Sequence, residues 1–233
     1  MLSRSETSLP RPTTFFNFLN LPKEIRFNIY REALANQTHR TFFLFQDSGS
    51  RVECFAPGQP KLRLDLLYVN KKIHDEAVVV LYGSNRFNVV DTTERQSSLL
   101  KAFFDRIGSA NAAMLTYLCI SFPADKGTGC LPGEALFREE DLLSLKLLEE
   151  RCAKLTTLEL FVHSNNSSVL IDGKVHEPQY RRAGLMQIEG LLKRIFSLNK
   201  IAIRLYSGVL DHTASELMES FGWVVLRGDE RWR

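Results

Sequence analysis

The sequence predicts a mixed α/β (α+β) fold, in which two helices bracket a small hairpin sheet and helix–strand units then form a mainly parallel sheet. Three observations carry that prediction. From Gln96 onward, stretches with apolar residues at helical spacing alternate with short apolar runs, and the short links between them imply parallel strands covered by helices. Earlier in the chain, Thr41–Gln46 and Arg51–Ala56 are apolar-aromatic runs around Asp47-Ser48-Gly49-Ser50, which is a hairpin signal. Amphipathic helical patterns stand on either side of that hairpin.

Taking the elements in order, residues 1–14 are rich in Ser, Thr, Pro and Arg and read as a flexible tail. The run from Leu21 to Leu34 reads as a helix opened by Pro22, whose missing N–H has no intrahelical partner in a first turn, with Glu24 near the positive end of the helix dipole. Ile25, Ile29 and Ala33 fall at i, i+4 and i+8 on one stripe, and Phe27, Tyr30 and Leu34 widen the apolar surface beyond what one core seam needs. Such a helix can face a domain on one side and a partner on the other. The stripe places Ile29 in the core, so Ile29→Asp is expected to destabilise the fold. Pro57-Gly58-Gln59-Pro60 ends the hairpin. Leu66, Val69, Ile73, Ala77 and Leu81 then follow helical spacing, with Asp65 as the expected N-cap and Gly83 where a left-handed cap stops a helix. Arg86–Val90 supplies a further strand.

Beyond residue 90, helices are predicted around Leu99 to Ile107, over Glu139–Ala153, over Arg182–Phe196 and over Thr213–Phe221. Strands are predicted at Met114–Phe122, Leu155–Val162, Ile201–Tyr206 and Trp223–Leu226, the last anchored by Trp223. Three strands begin with related phrases: Met114-Leu115-Thr116-Tyr117-Leu118, Lys154-Leu155-Thr156-Thr157-Leu158 and Ser197-Leu198-Asn199-Lys200-Ile201. Their spacing of roughly forty residues exceeds that of a leucine-rich repeat, so a short helix–strand solenoid or a layered α/β domain is expected in place of a full horseshoe. The polar loops Pro123–Gly133 and Ser164–Gln179 leave the C-terminal ends of strands, where parallel sheets usually bind ligands.

Two phrases stand out together: Leu21-Pro22-Lys23-Glu24-Ile25-Arg26-Phe27-Asn28-Ile29-Tyr30, and Val69-Asn70-Lys71-Lys72-Ile73-His74-Asp75-Glu76-Ala77 continuing to Leu81-Tyr82-Gly83-Ser84-Asn85-Arg86-Phe87. The first resembles the opening helix of an F-box, the segment by which substrate receptors dock on the Skp-family adaptor of cullin–RING ubiquitin ligases. The second resembles the later L-x-x-V-x-x-x-W helix of F-boxes, with Ile73 where Trp is usual. The combination is most similar to the F-box-like proteins abundant in filamentous fungi. The resemblance implies an F-box-like module over residues 15–90 with a hairpin insertion, then a recognition domain with irregular leucine-rich-repeat character over residues 91–233. It implies a non-enzymatic scaffold that docks the adaptor through Leu21, Pro22, Ile25, Ile29, Leu34 and Val69 and holds an unknown protein substrate. The alternative is a stand-alone protein-interaction or effector-like domain with no ligase role.

Composition narrows the remaining classes. The chain has 233 residues, 44% of them hydrophobic, which is ordinary for a globular protein. A net charge of +3 with scattered basic residues argues against a dedicated nucleic-acid surface. No stretch reaches the apolar length needed to span a bilayer, and the N-terminal residues lack a secretory hydrophobic region, so a cytoplasmic or nuclear protein is expected. The sequon Asn166-Ser167-Ser168 is then a chance match. Cys54, Cys119, Cys130 and Cys152 form no C-x-x-C pair, so four free thiols are expected, with Cys119 a small core residue.

Signals for chemistry are weak. Gly127-Thr128-Gly129 has neither a third glycine nor a phosphate-binding Lys-Ser/Thr, and no nucleophile elbow or H-E-x-x-H occurs. His163 and His176 flank a polar loop with Asp172 and Glu177, which fits a metal or acid–base cluster but equally a solvated loop. Glu139-Glu140-Asp141 favours the start of a helix, Glu149-Glu150-Arg151 reads as its outer face, and Lys71-Lys72 with Asp75-Glu76 offers i, i+4 pairs. Trp232, between Arg231 and Arg233, belongs either to a tail or to a partner contact. No cofactor and no metal are called for.

Overall fold

Helix α1 (Lys23–Leu34) begins at Pro22, whose carbonyl accepts the Ile25 and Arg26 amides and so closes the first turn. This is a computed structural model of the chain, describing residues 17–35, 40–46, 51–57, 63–89, 95–124, 137–162, 170–171, 178–206 and 210–228. Strands β1 (Thr41–Gln46) and β2 (Val52–Phe55) form the hairpin, antiparallel from Phe43↔Phe55 to Gln46↔Val52. A 3-10 turn at Leu64–Tyr68 leads to α2 (Lys71–Gly83), and β3 (Arg86–Val89) follows. Then come α3 (Gln96–Ile107), the single turn α4 (Ser109–Ala112), β4 (Tyr117–Ser121), α5 (Glu139–Arg151), β5 (Thr157–Val162), α6 (Pro178–Leu192), β6 (Lys200–Leu205), α7 (His212–Ser220) and β7 (Val224–Arg227).

All seven described strands lie in one sheet of order β2-β1-β3-β4-β5-β6-β7. Every neighbouring pair is parallel except β1 with β2. The mixed α/β class and the mainly parallel sheet are therefore as predicted. The hairpin, however, is not a small sheet of its own. β1 pairs with β3 from Thr41↔Arg86 to Leu44↔Val89, and β3 pairs with β4 at Phe87↔Leu118, so the sheet runs unbroken through the boundary expected at residues 90–91. Phe42, Leu44, Phe87 and Val89 share one buried cluster with Leu118, Ile120, Leu158 and Leu160, which explains the continuity: their apolar side needs the same helical cover.

That cluster also fixes where the helices lie. In register, Phe42, Phe87, Leu118 and Leu158 occupy one face, and they pack with Leu99 and Phe103 of α3, Leu145 and Leu148 of α5, Leu185 and Ile188 of α6, and Ala214 and Met218 of α7. Each of these Phe, Leu, Ile and Met side chains, fully buried, contributes roughly 1.5–3 kcal/mol. The opposite face carries Arg86, Tyr117, Cys119, Glu159 and Arg204. The parallel strands β1 and β3 to β7 follow one another in chain order across the sheet, and the antiparallel hairpin partner β2 alone lies on the other side of β1. The two loops expected to bind at the C-terminal ends of strands lie largely outside the described residues, as do residues 1–14 and Trp232.

The related phrases mark a real structural repeat. Thr116 Oγ1 donates to the Gly83 carbonyl, and Thr156 Oγ1 together with the Thr156 and Thr157 amides bonds to the Thr116 carbonyl. The Asn199 and Lys200 amides then bond to the Thr156 carbonyl. Each strand start is thus tied to the one before it. At the far end, Gly222 has φ +82, a conformation that suits glycine, and turns the chain from α7 into β7, where Trp223 is buried and donates from Nε1 to Glu189 at 2.9 Å.

Candidate protein-docking site

The two motif-bearing helices form a second core of their own. Tyr30, Leu34 and Ala35 of α1 and its cap pack on Ile73, Ala77, Val80 and Leu81 of α2. The rings of Phe18 and Phe27 meet Tyr30 edge-on, with centroids 5.6 and 5.9 Å away. Inside this apolar contact sits one ion pair. Arg26 is 6% exposed and donates through Nε to Glu76 Oε2 at 2.8 Å and through Nη2 to Oε1 at 2.5 Å. Its remaining nitrogen, Nη1, donates to the Leu21 carbonyl at 2.5 Å. The Tyr30 hydroxyl completes the set by donating to Glu76 Oε2 at 3.0 Å.

A buried pair contributes to a fold only when further hydrogen bonds satisfy both ions, as they do here. The Arg26 hydrogen bonds hold the Glu76 carboxyl at about 2, outweighing the upward pull of burial. Burial and the adjacent carboxylate push the Tyr30 hydroxyl up to about 12. Glu76 therefore turns across to α1, the i, i+4 pairing with Lys72 being only a weaker electrostatic contribution.

A second side chain joins the far ends of the helices. Asn85 is buried, and its Nδ2 donates to the carbonyls of Leu34 at 3.1 Å and Leu81 at 2.8 Å, while its Oδ1 accepts the Arg40 amide at 3.1 Å. This corrects the expected cap at Gly83. Gly83 stays helical without a positive φ, because Asn85 already satisfies the carbonyl that a left-handed turn would serve. At the start of α2, Asn70 is the N-cap and accepts the Ile73 amide at 3.0 Å; Asp65 lies back in the 3-10 turn.

Since Arg26, Tyr30 and Leu34 face α2, the stripe one residue earlier is rotated by about 100° and faces outward. Ile25 is 44% exposed and Ile29 40%, which overturns the expectation that Ile29 is core. Pro22 is also exposed, Leu21 is half-buried, and Val69, just before α2, is 59% exposed. Leu34 has no exposed surface and drops out of the docking set, because it fills the helix–helix core. Sequence reasoning missed Arg26, Glu76 and Asn85. Their signal was present: each is a polar letter of the two phrases at a position where the apolar spacing wants a core residue.

A second buried ion pair lies on the sheet face away from the helices. Arg204 donates to Glu159 through Nε at 2.5 Å and Nη2 at 3.1 Å, and the Tyr117 hydroxyl donates to Glu159 Oε2 at 2.5 Å. Cys119 sits 3.8 Å from the same carboxylate, so it is buried beside a charge and not inside the apolar layer. Burial and Glu159 push its thiol well up, which makes it a poor nucleophile. Cys54, Cys119 and Cys152 are free thiols, as expected; Cys130 lies outside the described residues.

Compared with protein-family models, with curated proteins and with solved structures, the chain matches none. Among the described residues, no group of His, Cys, Asp and Glu is placed to hold a metal ion. The loop with His163, Asp172, His176 and Glu177 and the Gly127-Thr128-Gly129 segment lie outside them. The acidic start of α5 ties into its surroundings, with Asp141 accepting the Ala124 amide and Glu140 accepting from Ser97. Glu149 reaches across from α5 to Arg194 at 3.0 Å. No described helix is long and apolar enough to cross a membrane.

Proposed function

We propose that this protein is a non-enzymatic, F-box-like interaction scaffold of the cytoplasm or nucleus, of the kind found in filamentous fungi. It docks a Skp-family adaptor through the outer side of α1 and presents a protein substrate to a cullin–RING ubiquitin ligase. The supporting observation is that Pro22, Ile25 and Ile29 stand in solvent while the inner side of the same helix is locked by Arg26 and Tyr30 on Glu76. Bulky β-branched side chains on a rigid, outward helix face are the ready-made apolar half of a helix-in-groove contact. Val69 adds to it from the start of α2.

A specific observation favours the rival reading, a stand-alone interaction domain without a ligase role. Arg26, Tyr30, Glu76 and Asn85 of the two phrases hold the helices together and Asn70 caps α2, so these letters have an architectural role whether or not an adaptor binds. Co-purification separates the two. Tagged wild-type protein should retain a Skp-family adaptor, and the Ile25→Asp, Ile29→Asp double variant should lose it while keeping the wild-type circular dichroism spectrum. A wild-type protein that retains no adaptor from its own cell extract leaves the stand-alone domain as the account.

A further inference from the structure

The starts of four consecutive strands form a cleft that the docking reading does not use. Arg86 begins β3, Tyr117 begins β4, Thr157 begins β5 and Lys200 begins β6; Tyr117↔Thr157↔Lys200 is one register row, and Arg86 stands beside Tyr117 in the same row. They line a cavity of about 270 Å³ together with Thr116 and Thr156. We infer that this cleft is a binding site for a phosphate monoester, held by Arg86 and Lys200.

The charge balance is the first support. Among the described residues, neither Arg86 nor Lys200 has a carboxylate within ion-pair distance, and no Asp or Glu lines the cavity. The nearest carboxylate along β5, Glu159, lies two residues deeper, where Arg204 matches its charge and the Tyr117 hydroxyl donates to it. Two positive charges therefore share one concave wall, with a low-dielectric sheet behind them to focus the field.

The second support is what happens to the backbone oxygens, which would otherwise repel an anion at this edge. Thr116 Oγ1 occupies the Gly83 carbonyl at 2.9 Å, Thr156 Oγ1 and two amides occupy the Thr116 carbonyl, and the Asn199 and Lys200 amides occupy the Thr156 carbonyl. Asn85 does the same for Leu81 at the end of α2. Three carbonyls along this edge, those of Gly83, Thr116 and Thr156, are thereby occupied, and the cationic donors are left.

Position completes the case. The Arg86 guanidinium lies 4.9 Å from the Tyr117 ring centroid, a cation–π contact that aligns its plane without consuming its N–H groups. Those N–H groups match the oxygens of a phosphate, and Lys200 supplies a mobile second charge. The site shares no residue with Pro22, Ile25, Ile29 or Val69, so it stands whether or not an adaptor docks.

Amide chemical shifts measured by NMR, with sodium phosphate titrated against sodium chloride at matched ionic strength, test it. Phosphate should move the amides of Tyr117, Thr157 and Lys200 saturably. Lys200→Gln, at an exposed position with no bonded partner, should keep the fold and weaken binding about tenfold. Arg86→Gln should do the same, and if it fails to fold Lys200→Gln decides alone. N-acetyl-phosphoserine methylamide as a second probe identifies the source: tighter binding than inorganic phosphate points to a phosphorylated side chain, equal binding to a free phosphate compound. Shifts that are absent, lie elsewhere, or are unchanged in Lys200→Gln overturn the site.

Discussion

The Asn85 amide donates to the carbonyl of Leu34, 51 residues earlier in the chain, and with the same nitrogen to Leu81. A single polar side chain thereby closes the ends of two helices and accepts the Arg40 amide that leads into β1. Replacing it strands two buried carbonyls and one amide. Asn85→Ala is expected to lose about 2 kcal/mol of stability or more, measured by urea denaturation. Asn85→Asp keeps the acceptor and loses the donors, so it should not recover the wild-type value. A neutral Asn85→Ala would show that water replaces the clamp at no cost.

The orientation of α1 reverses the expected ranking of its apolar residues. Ile29→Asp, on the exposed stripe, should melt within about 0.5 kcal/mol of wild type, as surface substitutions do. Tyr30→Ala, at a position with no exposed surface, should lose about 3 kcal/mol or more. Thermal melts of the two variants side by side decide it, and the opposite order would mean that α1 is rotated from its place here.

Acid should loosen the helix pair as Glu76 takes up its proton. An unfolded Glu titrates near 4.5, whereas Glu76 in the fold is held at about 2 by Arg26. A depressed folded value means that the stabilisation is complete above about pH 4.5 and is lost as the pH falls toward 2. Wild-type stability should therefore decline through that window, and Glu76→Gln should start lower and decline less. Parallel curves for the two proteins would remove Glu76 as the source.

Glu159→Gln should be more damaging than its central position in an apolar strand implies. Removing the charge leaves the Arg204 guanidinium buried without the Glu159 carboxylate, at a cost of about 3 kcal/mol. Tyr117→Phe removes only one donor to that carboxylate and should cost about 1 kcal/mol. Equilibrium unfolding measures both, and equal losses would mean that the ion pair adds nothing beyond its hydrogen bonds.

Thiol reactivity offers a further check. Of the three described cysteines Cys54 is exposed, whereas Cys119 and Cys152 are buried, with burial pushing Cys152 up to about 12. Among these three, a small alkylating reagent should label Cys54 first in the native protein, as read by mass spectrometry. Early labelling of Cys119 would contradict its place against Glu159.

Much of this architecture was legible because it is local. The alternation of helical stripes with short leucine-rich runs located β4, β5, β6 and β7 and the helices between them, since periodicity reports which face of an element is buried. What escaped is nonlocal. The pairing of β1 with β3 depends on residues brought together across α2, and nothing within either strand announces it. The burial of Arg26 depends on Glu76, which lies 50 residues away. Ile25 and Ile29 form the periodic stripe that suggests a core seam, yet they are the outer surface. A clue was available in Glu159 and Arg204, one opposite charge inside each of two successive apolar runs. The cleft at the strand starts has no such clue, since Arg86 and Lys200, with two strands between them, come to line one cleft only through a register that the sequence does not spell out.

The closure of α1 by residues far downstream has a consequence for how the protein is made. A ribosome releases the N-terminus first, so the twelve residues of α1 emerge while Glu76 and Asn85 are still to be added. A helix of that length is marginal in water by itself. α1 therefore waits through the synthesis of the whole hairpin before its arginine finds a carboxylate and its last turn finds an amide. Its outer isoleucines are fixed in place only at that moment, so a chain released before residue 85 would carry the full docking sequence without the rigid surface.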